Sequence, residues 1–165
     1  MGYKKIKFIN LFLSVIMMEE RTLVLIKPDA VAKKLVGNII SDFNSLNLKI
    51  IGLKLVNVKK ELAEKHYEEH KGKKFYNELI DYLTGKLHNE NVVAIVYKGK
   101  DAIKKIRDVT GEANPDKSEP CSIRGKYGKI NSISNCFETV VHASDSKKSA
   151  EREIKLWFSP EELIE

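Results

Sequence analysis

At 165 residues, 42% hydrophobic and 32% charged, the chain is sized for one globular domain with an ordinary core, and a second domain is not expected. Its formal net charge of +6 could suit a nucleic acid, an acidic membrane or a polyphosphate ligand, and the interleaving of basic residues with acids disfavours a dedicated polyanion-binding tail while leaving a phosphorylated small molecule compatible. Two cysteines, Cys121 and Cys136, are too few for a disulfide scaffold and lack metal-ligand spacing, so free thiols in a reducing cytoplasm are expected.

The first seventeen residues place Lys4, Lys5 and Lys7 ahead of an apolar run from Leu11 to Met17 broken only by Ser14. The run is too short to span a membrane and no A-x-A-like cleavage site follows, so residues 1–17 are expected to be a non-native or disordered leader to a domain over 18–165. Thr22 to Ile26 then reads as a buried strand stopped by Lys27 and Pro28. Leu35, Ile39, Ile40, Phe43 and Leu46 have helical spacing within Val31 to Leu46. Lys49 to Val58 alternates as a second strand, with Ile51, Leu53 and Leu55 set against Ile50, Lys54 and Val56. Glu61 to His70 and Phe75 to Leu83 read as two helices joined around Gly72, Val92 to Tyr97 as a third strand, and Ala102 to Val109 as another helix. Thr110 to Phe137 is rich in Gly, Pro, Ser, Asn and Lys and reads as a long functional loop rather than packed core. Phe137 to Val141 supplies the fourth strand. A helix to Phe158 follows, with Ala150, Ile154, Trp157 and Phe158 on one face, and Ser159, Pro160 and Glu162 have the pattern of a capping box. The order βαββαβ cannot form an all-parallel sheet. It predicts an α+β fold, a four-stranded antiparallel sheet covered by helices on one face.

No P-loop or dinucleotide-binding glycine pattern occurs, so phosphates would be held by side chains, with Lys27, Arg107 and Arg124 as candidates. The stretch TVVHASDS places His142 at an expected strand-to-helix turn, where helix-start amides favour phosphate. Glu153, two turns into the following helix, is spaced to hold one imidazole nitrogen and leave the other for attack. His66 and His70, four apart in HYEEH, suggest a metal pair. Tyr67 stands where a zinc peptidase has glutamate, however, and no third ligand follows.

HASDS, with ERTLVLIKPDAV at Glu20 to Val31 and the later segments HYEEHKGKKFYNEL, GEANP, SIRGKYG and SAEREIKLWFSPEEL, resembles the nucleoside diphosphate kinase family from Glu20 to the C-terminus. The resemblance implies a ferredoxin-like fold. It also implies ping-pong transfer of the γ-phosphate of a nucleoside triphosphate, typically ATP, to a nucleoside diphosphate through a pros-phosphohistidine at His142. By the same resemblance Lys27, Arg107 and Arg124 neutralise the polyphosphate, Glu153 and Ser144 orient the ring, and Tyr67 joins them. Phe75 stacks on the base and Leu79 lines the other edge of the slot, which suits broad base specificity because every base has a π-face. Mg²⁺ is implied on the nucleotide phosphates rather than in a protein cage, and a homo-oligomer, hexamer or tetramer, is implied as the assembly, with no membrane partner. Ala113 and Thr139 occupy nucleotide-binding positions where the family commonly has threonine and asparagine, and the segment between Arg124 and Thr139 is longer than the common form. These departures keep open a second expectation, a catalytically weakened binding or regulatory module.

Overall fold

The computed structural model describes residues 19–131 and 137–164; the expected leader over 1–17 and the middle of the longer loop, including Cys136, lie outside them. Along the chain run β1 (Glu19–Ile26), α1 (Pro28–Ala32), α2 (Val36–Asn44), β2 (Lys49–Val56), α3 (Lys60–His66), α4 (Tyr76–Leu83), β3 (Val92–Lys100), α5 (Ala102–Thr110), α6 (Ile123–Tyr127), β4 (Lys129–Ile130), β5 (Phe137–Glu138), β6 (Val141–Ala143) and α7 (Lys147–Trp157). Four strands form one antiparallel sheet in the order β2-β3-β1-β6, the α+β, ferredoxin-like arrangement expected.

Helices cover both faces of this sheet, not one. In β1 the run Leu23, Val24, Leu25, Ile26 is wholly buried, without the polar alternation of a half-solvated strand. Leu23, Leu25, Ala94 and Val96 pack against Ala63, Tyr67, Ile80, Leu83, Ile154 and Trp157 of α3, α4, α7 and their ends. Val24, Ile26, Ile95 and Tyr97 pack on the opposite side against Ile39, Phe43, Ile106 and Ile123.

Three expectations change at points where the backbone turns left-handed or slips. The helix expected over Val31 to Leu46 starts earlier, with Pro28 at its first position, and breaks where Lys34 takes φ 60°, giving α1 and α2. β2 carries an irregularity between Ile50 and Gly52, so the expected alternation fails: Ile51 is buried while Leu53 and Leu55 point outward, 53% and 64% exposed. The expected fourth strand is cut in two. Phe137 and Glu138 pair with Ile130 and Lys129 in a small ribbon, the chain kinks, and only Val141–Ala143 joins the main sheet against β1.

The kink is Val140, a β-branched residue at φ 56°, a conformation that costs on the order of 1–3 kcal/mol. Its side chain is fully buried, the Lys27 amide donates to its carbonyl at 2.8 Å, and the Val141 amide donates to Thr139 O at 2.6 Å, so surrounding contacts hold it. His142 consequently lies inside an edge strand opposite Leu25, not at the strand-to-helix turn, and α7 begins only at Lys147. The loop from Thr110 is also more packed than its composition suggests. Ile123 is fully buried, and Ser122 caps α6 by accepting from the Gly125 amide at 3.1 Å.

Candidate active site

Strand alternation puts Val141 and Ala143 on one face and His142 on the other, the face covered by α3 and α7. There His142 Nε2 lies 2.9 Å from Glu153 Oε2. The same oxygen accepts the Ser144 hydroxyl at 2.7 Å, and the Ser144 oxygen accepts the Leu23 amide at 3.2 Å, so a central strand anchors the carboxylate through a serine. Arg152 Nη2 stands 3.7 Å from the other carboxylate oxygen. A carboxylate only accepts, so the hydrogen on a neutral His142 ring belongs on Nε2 and the lone pair on Nδ1. Ser144 therefore acts on Glu153 and reaches the ring only through it.

Cations gather around this histidine from separate elements. Lys27, 5% exposed at the end of β1, donates from Nζ to Thr139 Oγ1 at 2.9 Å, and its ammonium lies 4.9 Å from the centre of the Tyr82 ring. Arg124 donates from Nη1 to Gly111 O at 3.1 Å and from Nη2 to Val141 O at 3.0 Å. Burial pushes its guanidinium down to about 10, with Tyr67 opposing and Arg107 reinforcing that fall. Gly111 has φ 87°, and a side chain there would run into Ser118 and Ser122, so glycine is required where its carbonyl receives Arg124. Arg107 is exposed on the last turn of α5. Beside it a cavity of about 390 Å³, lined by Glu20, Lys104, Asp108, Asp145 and others, does not extend to His142. Asp145 is held below the usual carboxylate range by a hydrogen bond from Ser149.

Tyr67 is buried with its ring 6.4 Å from that of His142. Phe75 is 48% exposed at the start of α4, which removes the core reading its helical spacing allows and leaves an aromatic face open. Leu79, one turn on, is half-buried against the cluster containing Tyr67. Ala113 is exposed in the loop before Pro115, with no side-chain polar group to contribute. Two participants were not singled out from the sequence: Tyr82 under Lys27, and Trp157, whose Nε1 donates to His66 Nδ1 at 3.2 Å.

The site thus joins a strand histidine on a buried carboxylate to a lysine and arginines brought from distant segments, with an exposed aromatic nearby. A family model described as nucleoside diphosphate kinase matches residues 20–163. This chain belongs to the nucleoside diphosphate kinase family. The nucleoside diphosphate kinase of Pyrococcus furiosus is 51% identical over 146 residues, 88% of this chain and 87% of that one. Among solved structures the fold is similar to a nucleoside diphosphate kinase of Borrelia burgdorferi, a transition-state mimic with bound vanadate and ADP. The TM-score is 0.81 at 29% identity, covering 90% of this chain and 92% of that one. A halophilic nucleoside diphosphate kinase from Halobacterium salinarum in complex with CDP gives 0.79 at 34%, covering 89% and 92%.

In this nucleoside diphosphate kinase family member, one ligating atom each from His66, His142 and Glu153 lie within 4.8 Å of one another, which raises the question of a metal. The set fails chemically. Trp157 Nε1–H can only donate, so the lone pair of His66 sits on Nδ1 and its hydrogen on Nε2, leaving no ring nitrogen free to ligate. Nitrogen donors are also poor partners for Mg²⁺, which takes oxygen ligands. The HYEEH pair does not form either: α3 ends at His66, a 3-10 turn carries His70, and His70 Nδ1 faces Lys73 Nζ at 2.9 Å.

Proposed function

We propose that His142 is the phosphoryl acceptor through which this chain moves the γ-phosphate of a nucleoside triphosphate to a nucleoside diphosphate. The observation that carries this reading is the His142 Nε2 to Glu153 contact, which leaves the Nδ1 lone pair for attack, with Arg124 bonded to the backbone of the adjacent Val141 and Lys27 bonded to Thr139 three residues before. Nδ1 forms a bond to the γ-phosphorus, the bond to the bridging oxygen breaks, and the nucleoside diphosphate leaves with that electron pair. The incoming diphosphate reverses the step through its own terminal oxygen, which breaks the nitrogen–phosphorus bond. A loose phosphoryl transition state needs positioning and charge stabilisation more than covalent help, and this cation set supplies both.

Mg²⁺ would be carried by the nucleotide's phosphates, as oxygen donors suit it, and would supply further neutralisation of their charge beside Lys27, Arg107 and Arg124. Phe75, with Leu79 beside it, offers a stacking face for any base. At the sugar side, Thr139 takes the place of an amide, and its hydroxyl oxygen already accepts from Lys27. Given ATP labelled on the γ-phosphate, with Mg²⁺, the protein should take label onto His142 and surrender it to a second nucleoside diphosphate. A protein that acquires no label, or label on another residue, contradicts this function.

We propose a homo-oligomer for the same chain. β2 is an edge strand, and Ile50, Leu53 and Leu55 expose apolar surface along it, 39%, 53% and 64% exposed, which is a liability in a lone subunit. Leu55→Glu is expected to lower the mass measured by light scattering, and a wild-type mass of one chain at micromolar concentration would sink the idea. A cytoplasmic location fits the exposed thiol of Cys121, and no helix among the described residues is long and apolar enough to cross a membrane.

A further inference from the structure

The phosphoryl-transfer reading gives His66 no task, yet it touches His142 and is the more deeply buried of the pair, 3% exposed at the end of α3. Its ring meets that of His142 edge to face, centroids 4.5 Å apart at 81°, and meets Trp157 at 5.6 Å and 90°. Trp157 donates to Nδ1, and because indole nitrogen cannot accept, this bond fixes the tautomer. The remaining ring hydrogen is on Nε2. That atom is buried and has no hydrogen-bond partner among the described residues. Buried donors are rarely left unpaired without a reason, and such groups concentrate where a structure is prepared for chemistry.

A second histidine beside a nucleophile is harmful if it charges, because it would repel the lysine and arginines and compete for Glu153. Burial, and the nearby His142, Lys27 and Arg152, hold the His66 imidazole well below its ordinary value, so it stays neutral at physiological pH. It therefore offers a dipole of known direction rather than a charge. One end is tied to Trp157, and one ligating atom each of His66, His142 and Glu153 lie within 4.8 Å of one another, so the ring stands directly beside the histidine–carboxylate pair. Trp157 and Glu153 are four residues apart on α7, so one helix places both the group that sets the His66 tautomer and the group that sets the His142 tautomer.

We propose that His66, its tautomer locked by Trp157, is a positioning residue that holds His142 and Glu153 in the arrangement presenting Nδ1 to phosphate. The inference rests on His142 being the phosphoryl acceptor. His66 takes no phosphate and transfers no proton; it walls one side of the nucleophile's ring and, through its Nε2–H, steadies the histidine–carboxylate contact that keeps the His142 hydrogen on Nε2.

The test combines ¹⁵N NMR of histidine-labelled protein without nucleotide with single-turnover phosphorylation by ATP. The wild type should show the His66 ring neutral near pH 7.5, a pH chosen roughly a unit above the ordinary histidine value, with its hydrogen on Nε2, and should show the neutral form of His142 with its hydrogen on Nε2. His66→Phe keeps a flat ring but no N–H. It should slow phosphorylation by about 10- to 100-fold and give His142 a mixture of tautomers, as expected when a reacting group loses its orientation. His66→Gln, whose amide reaches the place of Nε2, should recover most of that rate. Trp157→Phe should release the His66 tautomer with a smaller loss. The proposal is overturned by wild-type rates in His66→Phe, by equal slowing in His66→Phe and His66→Gln, which would mark a packing role alone, or by a His66 hydrogen found on Nδ1. If the wild type takes no phosphate at all, the phosphoryl-transfer reading fails, and the tautomers still decide the assignment of His66.

Discussion

A His142→Gln protein should fold as the wild type does and take up no phosphate from ATP, with turnover reduced by about 10⁴-fold or more. Glutamine is the informative choice. Its amide N–H₂ can reach the place of Nε2 and keep the hydrogen bond to Glu153 Oε2, so the buried carboxylate, which also receives the Ser144 hydroxyl, loses no partner. Only the nucleophilic nitrogen disappears. No neighbour can replace it: His66 carries its hydrogen on Nε2 and its lone pair faces Trp157, and His70 Nδ1 is occupied by Lys73. Thermal melting should stay within a few degrees of wild type, since a stability change of about 1 kcal/mol shifts a domain of this size by roughly 2–4 °C. Phosphorylation persisting in this variant would remove His142 from the mechanism, and mass spectrometry of the intact protein is enough to see it.

Much of the fold was legible because its signals are local. The buried run from Leu23 to Ile26, the helical face of Ala150, Ile154 and Trp157, and the capping box of Ser159 and Glu162 each involve neighbours in sequence. Coverage of both sheet faces was readable from the same unbroken run in β1, and the one-face expectation underweighted it. The breaks were not readable. Nothing in the residue types of Lys34 or Val140 announces a left-handed backbone, and for Val140 that conformation is locally unfavourable, stabilised by burial and by a hydrogen bond from the Lys27 amide. Because of it His142 sits within β6, a displacement that sequence alone could not show.

The site divides the same way. His142, Glu153 and Ser144 fall within one strand–helix unit, and their mutual contact follows from spacing. Lys27, Arg107 and Arg124 were picked by motif; that Arg124 would end on Gly111 O and Val141 O, or Lys27 over Tyr82, depends on packing between distant segments. The bond between Trp157 and His66 spans 91 positions, so the sequence offered His66 only as a doubtful metal ligand.

Arg124→Met should remove most of the activity, about 10²- to 10³-fold in kcat/KM, while leaving the melting temperature unchanged or slightly higher. The two halves of that result have one cause. Arg124 is drawn away from solvent beside Arg107, and among the described residues it has no carboxylate in ion-pair range, only the carbonyls of Gly111 and Val141. Burial lowers its guanidinium from 12.5 to about 10. A base whose folded value is depressed weakens folding at every pH below about 10, and the penalty is relieved only as pH rises from there toward 12.5. At neutral pH that is an upper bound of about 3 kcal/mol, reduced by the two carbonyl hydrogen bonds at roughly 1 kcal/mol each. Among the described residues this cation is thus held without a carboxylate in contact, which is what a site does when its ligand supplies the negative charge. Methionine fills similar volume without that penalty, and Lys should be an intermediate case, keeping the charge but losing the planar fork. If Arg124→Met instead melts 10 °C or more below wild type, a shift of roughly 3 kcal/mol or more, the residue is a structural tie between the loop and β6, and its place in phosphate binding falls.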